Sequence, residues 1–165
     1  MGEALFVEVF GDVFEHTPEI TRAAYRKGLG LEADTAEGLH EALVATLHGM
    51  NAVQKKSLLD AHPDLAGRLA LARSLTADST GEQAGAGLDR LLPEELARFT
   101  ELNGAYRDRF GFPFIMAVKG CTKGEILDAF VTRLSKGAEE EFELALAEVA
   151  LIALLRLQDR LPKRS

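Results

Sequence analysis

Leu5, Phe6, Val9, Phe10, Val13 and Phe14 recur at the spacing that lines one face of an α-helix, so the chain opens on an amphipathic helix through Phe14. Thr17-Pro18 reads as an N-cap followed by a first-turn proline, and predicts a second helix to about Lys27. Gly28-Leu29-Gly30 stops it; these glycines are too few and too badly spaced for a nucleotide loop. Leu39, Leu43 and Leu47 stand one turn apart and predict a third helix ending near Gly49. Asn51 suits the cap of a fourth, which carries Leu58 and Leu59 up to His62. Leu65, Leu69 and Leu71 predict the next helix, and the polar run from Thr76 to Gly81 a turn. A further helix covers 94–109 and ends at Gly111. Thr122-Lys123-Gly124-Glu125 has the form of a capping box and opens a helix through Ile126, Phe130 and Leu134. Gly137 ends that helix, and a last long one runs from about Ala138 to Leu161.

Phe112-Pro113-Phe114-Ile115-Met116-Ala117-Val118 breaks this pattern, being the one stretch of strand-like composition. No partner strand is in sight, and an isolated strand cannot pair its backbone. It is therefore expected as a buried extended segment over 112–118, whose N–H and C=O groups need partners that a polar ligand could supply. The predicted fold is all-α: a single globular domain spanning 1–165, with seven to eight helices. Helices this short take most of their stability from packing.

Composition narrows the class. The chain has 165 residues, enough for a real core. Its net charge of −7 without a basic block argues against nucleic acid, which is bound through clustered Lys and Arg. Cys121 is the only cysteine, so no internal disulfide forms, and no Cys/His cluster at zinc spacing is present. The most apolar region, Leu144 to Leu157, is interrupted by Glu148 and Arg156 and falls short of the roughly 20 apolar residues a membrane helix needs. No signal peptide is read at Met1-Gly2-Glu3, and Pro162-Lys163-Arg164-Ser165 is not a peroxisomal address, so the cytoplasm is the expected compartment.

Three places attract chemistry. His62 precedes Pro63, and proline pushes the residue before it out of the helical region, so the fourth helix ends at about His62 and Pro63 can begin the next. The imidazole is then held at a helix junction, where it suits a proton donor; it suits equally a histidine bonded to a backbone carbonyl. His62-Pro63-Asp64 is also the tripeptide of J-domain co-chaperones, but Lys55 and Lys56 make only a mildly basic preceding helix. Ser79-Thr80-Gly81-Glu82 fits a capping box, which would give Glu82 a structural role. Arg156 lies among Ile152, Leu154, Leu155 and Leu157, where a charge needs a partner or a ligand, whereas Arg107, Asp108 and Arg109 fit a solvated face. A metal hydrolase built on His62, Asp64 and Glu82 lacks a second histidine at ligand spacing, since His16, His40 and His48 are scattered. A helix-binding or small-molecule-binding module using the groove beside Phe112-Pro113-Phe114 is the non-enzymatic alternative.

The ordered set His62-Pro63-Asp64-Leu65-Ala66-Gly67, Ser79 with Glu82-Gln83 and Ala86-Gly87-Leu88, and Leu102-Asn103-x-Ala105-Tyr106-x-x-Arg109-Phe110-Gly111-Phe112-Pro113-Phe114 strongly resembles the 2-oxo-4-hydroxy-4-carboxy-5-ureidoimidazoline (OHCU) decarboxylases. Phe10 to Pro18 and the closing Glu148 to Leu157 look similar as well, so the resemblance covers nearly the whole chain. It implies a carboxy-lyase of urate breakdown that makes (S)-allantoin, all-α, cofactor-free and without a metal, usually a homodimer. It implies His62 as catalytic acid and Glu82 as its catalytic companion. Pro63, Ser79, Thr80, Gly81 and Gln83, the wall Phe114, Ile115, Met116, Ala117 and Val118, and Arg156 would bind substrate, with Arg160 the rival of Arg156. The peroxisomal tail of some eukaryotic members and the transthyretin-like hydrolase domain fused to others are not seen.

The two readings of Glu82 separate in one variant. Glu82→Gln is expected to lose turnover while the protein stays folded; a loss of stability alone, with turnover per folded molecule unchanged, would reduce Glu82 to a cap.

Overall fold

The computed structural model describes residues 1–65 and 92–165. Among them are seven α-helices: α1 (Glu3–Phe10), α2 (Glu19–Lys27), α3 (Ala36–His48), α4 (Ala52–Ala61), α5 (Pro93–Phe110), α6 (Lys123–Leu134) and α7 (Ala138–Gln158). No strand occurs among the described residues, in keeping with the all-α expectation. The predicted helix carrying Leu69 and Leu71 and the turn to Gly81 lie outside the described residues. The chain forms two compact units, one of Met1–Ala61 with Val149–Ser165, the other of His62–Glu148.

In the first unit α1 packs on α2 and α2 on α3. Phe6, Phe10, Val13, Phe14, Ile20, Leu39, Leu43 and Leu47 are all buried, as their spacing demands. Each such side chain contributes about 1.5–3 kcal/mol by leaving water. The first helix is shorter than its apolar stripe. It ends at Phe10, and Gly11–Phe14 continue as a 3₁₀ turn. Gly11 lets Pro18, just before α2, pack closely at this point: a Cβ there would stand 3.2 Å from both Pro18 Cβ and Val7 Cγ1. Pro18 has helical dihedrals and its carbonyl accepts from the Arg22 N–H at 3.0 Å, but it precedes rather than occupies the first α-helical position, and no side chain caps α2.

Gly28 stops α2 with φ of 92°, a conformation glycine adopts without steric cost. A second 3₁₀ turn follows at Leu31–Asp34, unforeseen because its apolar residue, Leu31, is 91% exposed and leaves no periodicity. Thr35 then caps α3, its Oγ1 accepting from the Gly38 N–H at 3.1 Å. Asn51 caps α4 as expected: its Oδ1 accepts from the Gln54 N–H at 2.9 Å, and Gln54 Oε1 accepts from the Asn51 N–H at 3.0 Å.

In the second unit α5 packs on α6. Glu95 Oε1 accepts from the Leu92 N–H at 2.9 Å at the start of α5, and Gly111, left-handed at φ 78°, ends it. The predicted capping box of α6 is present: Thr122 Oγ1 accepts from the Glu125 N–H at 3.2 Å, and Glu125 Oε2 from the Thr122 N–H at 2.9 Å. Ser135, not Gly137, closes α6; the Gly137 carbonyl instead accepts from the Glu141 N–H and so opens α7. That last helix ends at Gln158, three residues before its expected limit.

Gly38 provides a test of the first unit's packing. A Cβ there would lie 1.8 Å from the Glu32 carbonyl oxygen, a backbone atom that moves only with the whole 3₁₀ turn. Gly38→Ala is expected to cost about 1–3 kcal/mol of stability, as overpacking does, read by urea unfolding.

Candidate functional site

Two pieces of the candidate site, His62-Pro63-Asp64 and 112–118, lie among the described residues, and both are held against α5. His62 follows the last residue of α4 and is half-buried, as are Pro63 and Asp64. Pro63 and Asp64 are non-helical, so the proline does not open a helix at that point; it prolongs the turn. The turn is fastened to α5 twice. Arg107 Nη2 stands 3.4 Å from Asp64 Oδ1, and the Asn103 side-chain amide donates to the Leu65 carbonyl. Leu65 is buried and anchors the end of the turn. Arg107 and Asp64 therefore do more than solvate a surface, although an ion pair this exposed contributes little energy by itself.

The second piece is 112–118, which is non-helical and largely buried. Phe114 stacks on Phe130, ring centroids 3.6 Å apart, and meets Tyr106 edge-on at 5.3 Å. Phe112 touches Tyr106 at 5.8 Å and Phe142 at 5.9 Å. The backbone finds its partners in side chains. Arg133 Nη1 donates to the Ile115 carbonyl at 2.6 Å, and Glu148 Oε2 accepts from the Ala117 N–H at 3.0 Å. The Cys121 N–H closes a turn onto the Val118 carbonyl at 2.9 Å. Phe114, Ile115 and Val118 are buried; Met116 and Ala117 are the half-buried members of the wall.

Arg133 belongs to a buried group that the sequence reading missed. Its Nε donates to Glu141 Oε1 at 2.8 Å, and the Tyr106 hydroxyl donates to the same oxygen at 2.7 Å. The guanidinium carbon lies 4.4 Å from the Phe114 ring centroid, a cation–π contact. Burial, and then the bond to Glu141, push the Tyr106 hydroxyl well above the usual phenol range, so it stays protonated and remains a donor. Arg133 stands seven residues after Ile126 and three after Phe130, on the same buried helix face, so helical spacing was the signal that could have found it.

Cys121 lies behind the same wall, its Sγ 3.8 Å from the Ala117 carbonyl. Burial, and then the carboxylates of Glu125 and Glu148, push its thiol up.

Arg156 belongs to the first unit, where it is 2% exposed. Its Nη2 donates to Glu15 Oε1 at 2.8 Å and its Nη1 to the Val13 carbonyl at 3.1 Å. The partner that its apolar surroundings demand is thus at least in part Glu15, a residue sequence reasoning passed over. Glu15 has φ of 53°, unusual for a residue with a Cβ, and is itself buried. Arg160 is bonded to Asp12 Oδ1 at 2.5 Å and to the Val9 carbonyl at 2.9 Å. Ser79, Thr80, Gly81, Glu82 and Gln83 lie outside the described residues. A cleft lined by Glu95, Arg98, Phe99, Lys123 and Leu127 contains none of the predicted site residues.

The arrangement offers a half-buried imidazole on one anchored turn and a peptide edge on one anchored segment, both tied to α5 within one unit. Those are the parts needed to hold a small polar ring and move a proton to it.

Comparison with known proteins adds an independent measure. The family model for OHCU decarboxylase matches residues 1–158. The 2-oxo-4-hydroxy-4-carboxy-5-ureidoimidazoline decarboxylase of Halalkalicoccus jeotgali is 40% identical over 154 residues, covering 93% of this chain and 84% of that protein. A crystal structure of (S)-allantoin synthase matches with a TM-score of 0.76 at 32% identity, covering 98% of this chain and 51% of that one, about half its length. A crystal structure of OHCU decarboxylase in the presence of (S)-allantoin shares the fold, with a TM-score of 0.69 at 21% identity over 90% of this chain and 94% of that one.

The buried Arg133–Glu141 pair makes a sharp stability prediction. Arg133→Ala leaves Glu141 buried without its cation and is expected to cost about 3–5 kcal/mol in urea unfolding. Combining Arg133→Met with Glu141→Gln, which keeps an acceptor for Tyr106, should recover part of that loss, the remainder being the Ile115 carbonyl left without its donor.

Proposed function

The chain belongs to the OHCU decarboxylase family, and on that footing we propose that it converts 2-oxo-4-hydroxy-4-carboxy-5-ureidoimidazoline to (S)-allantoin in urate degradation. The observation that carries the reading is the match over residues 1–158, which takes in the His62-Pro63 turn, the 112–118 segment and Arg156 together.

The chemistry asks little of the protein beyond placement. One ring carbon of the substrate bears the carboxylate and a hydroxyl; its neighbour bears the ureido group and forms a C=N bond. When the bond to the carboxylate breaks, its electron pair moves into the ring toward the imine nitrogen and carbon dioxide leaves. The ring itself is the electron sink, so the reaction calls for no cofactor. The imine nitrogen takes up one proton as the pair arrives. The ene-ol that remains then takes a proton on the ureido-bearing carbon while its hydroxyl gives one up and becomes the ring carbonyl, so one proton is consumed overall in place of the carbon dioxide lost. Delivery of that proton to one face sets the (S) configuration.

His62 donates that proton, directly or through a relay. Its support is geometric: a turn held to α5 through Asp64 and Leu65 keeps the imidazole from wandering. Glu82 binds the substrate hydroxyl or orients His62, and a carboxylate there favours the protonated imidazole. Pro63, Ser79, Thr80, Gly81 and Gln83, with the Phe114–Val118 wall, hold the ureido and ring amides. Arg156 receives the negatively charged group, with Glu15 fixing the orientation of its guanidinium. The protein works as one functional domain over 1–165, as a homodimer in the cytoplasm, on a small-molecule substrate rather than nucleic acid or membrane. No helix among the described residues is long and apolar enough to cross a membrane.

The test generates the unstable substrate in place from urate with urate oxidase and hydroxyisourate hydrolase, and follows near-ultraviolet circular dichroism. The expected result is rapid appearance of optically active allantoin, abolished in a folded His62→Ala variant. Slow racemic product unaffected by the protein would refute the activity, and near-normal turnover by His62→Ala would remove the histidine from the proton transfer.

A further inference from the structure

The wall 114–118 is accessible over a short length only. Phe114, Ile115 and Val118 are buried, and Met116 with Ala117 is the half-buried dipeptide between them. Both ends of that dipeptide are held by side chains from other helices. On the N-terminal side, Arg133 of α6 donates to the Ile115 carbonyl at 2.6 Å. On the C-terminal side, Glu148 of α7 accepts from the Ala117 N–H at 3.0 Å. Arg133 is itself immobilised by Glu141 and by the face of Phe114.

These two contacts differ in kind. Arg133 lies in the core and its loss would disturb the whole unit. Glu148 is half-buried and bonds the segment at a single amide. An N–H donates one strong bond, so the Ala117 amide is committed to Glu148 and ligand recognition falls to neighbouring groups of the segment. Glu148 Oε2 is thereby engaged with the segment itself. A segment without a partner strand has no ladder to restore its position once this bond is lost. Small displacements of groups that must meet a ring at hydrogen-bond distance are costly to binding.

We propose that Glu148 is a positioning residue for the decarboxylation: through the Ala117 N–H, and with Arg133 at the other end, it fixes the Met116–Ala117 edge against which the ureidoimidazoline ring is held. This rests on the proposed function above.

The test compares Glu148→Ala and Glu148→Gln with the unaltered protein in the coupled urate assay, at a temperature where circular dichroism shows all three folded. Alanine is the best helix former and the site is half-exposed, so α7 tolerates the change. Glu148→Ala is expected to raise KM about tenfold with kcat within about twofold, the signature of lost binding rather than lost chemistry. Glu148→Gln, whose amide oxygen still accepts from the Ala117 N–H, should keep KM within about twofold of the parent. Amide exchange at Ala117 should accelerate in Glu148→Ala and not in Glu148→Gln. An unchanged KM in Glu148→Ala, or a Glu148→Gln variant as impaired as Glu148→Ala, overturns the proposal while the parent remains active. A parent that leaves substrate decay unaltered overturns the activity itself, and this inference with it.

Discussion

A peptide segment that is neither helix nor sheet, buried inside a helical protein, must find a partner for every polar backbone group it takes out of water. Leaving one such group unsatisfied costs about 1–3 kcal/mol. Much of the second unit can be understood from that constraint at 112–118. It explains why an arginine is drawn into the core to meet the Ile115 carbonyl, and why Glu141 must follow it there. It accounts as well for Tyr106 being a tyrosine, since its hydroxyl is a second donor to Glu141 Oε1 while its ring packs on Phe114. Arginine suits the position better than lysine: its planar fork bonds a carbonyl and a carboxylate at once and lies flat over an aromatic ring.

The first unit meets a related problem differently. Arg156 is buried among aliphatic residues of α7, and the acid that answers it comes from a turn, not a helix. Glu15 reaches Arg156 from a left-handed conformation that costs on the order of 1–3 kcal/mol. The ion pair and the Val13 carbonyl bond recover that cost and lock the turn after the first 3₁₀ helix. In both units a buried arginine joins a helix to irregular backbone.

Helices defined by a leucine or phenylalanine stripe, and caps defined by local chemistry, were legible in the sequence. Leu39, Leu43 and Leu47 mark α3 because a repeat of one turn has no other explanation; Asn51 and Thr122 mark caps because their side chains bond within their own turn. The Phe112–Val118 run betrayed itself by composition alone, and its need for partners could be stated without knowing them. What could not be read were the partners. Arg133, Glu141 and Glu148 are distant from 112–118 in sequence, and although the spacings Ile126, Phe130, Arg133 and Glu141, Ala145, Val149 put two of them on buried helix faces, spacing does not say which group each will meet. The 3₁₀ turns escaped for another reason: Gly11–Phe14 continue the apolar stripe of α1, and Leu31–Asp34 have no stripe at all. His62 stands just after α4, as the proline required, and 112–118 is non-helical and largely buried, as its composition required, while Glu15 was hidden by an unremarkable local context.

The surroundings of Cys121 bear on how the protein withstands oxidants. Peroxides and alkylating agents attack the thiolate, and burial together with two nearby carboxylates keeps this sulfur in its protonated, weakly nucleophilic form. Because the chain has no other cysteine, its thiol chemistry is confined to one position that burial and charge hold toward the protonated form, which slows its conversion to a disulfide or a sulfenic acid. The carboxylate that holds the Ala117 N–H thus also adds, after burial and Glu125, to what keeps the nearby thiol protonated.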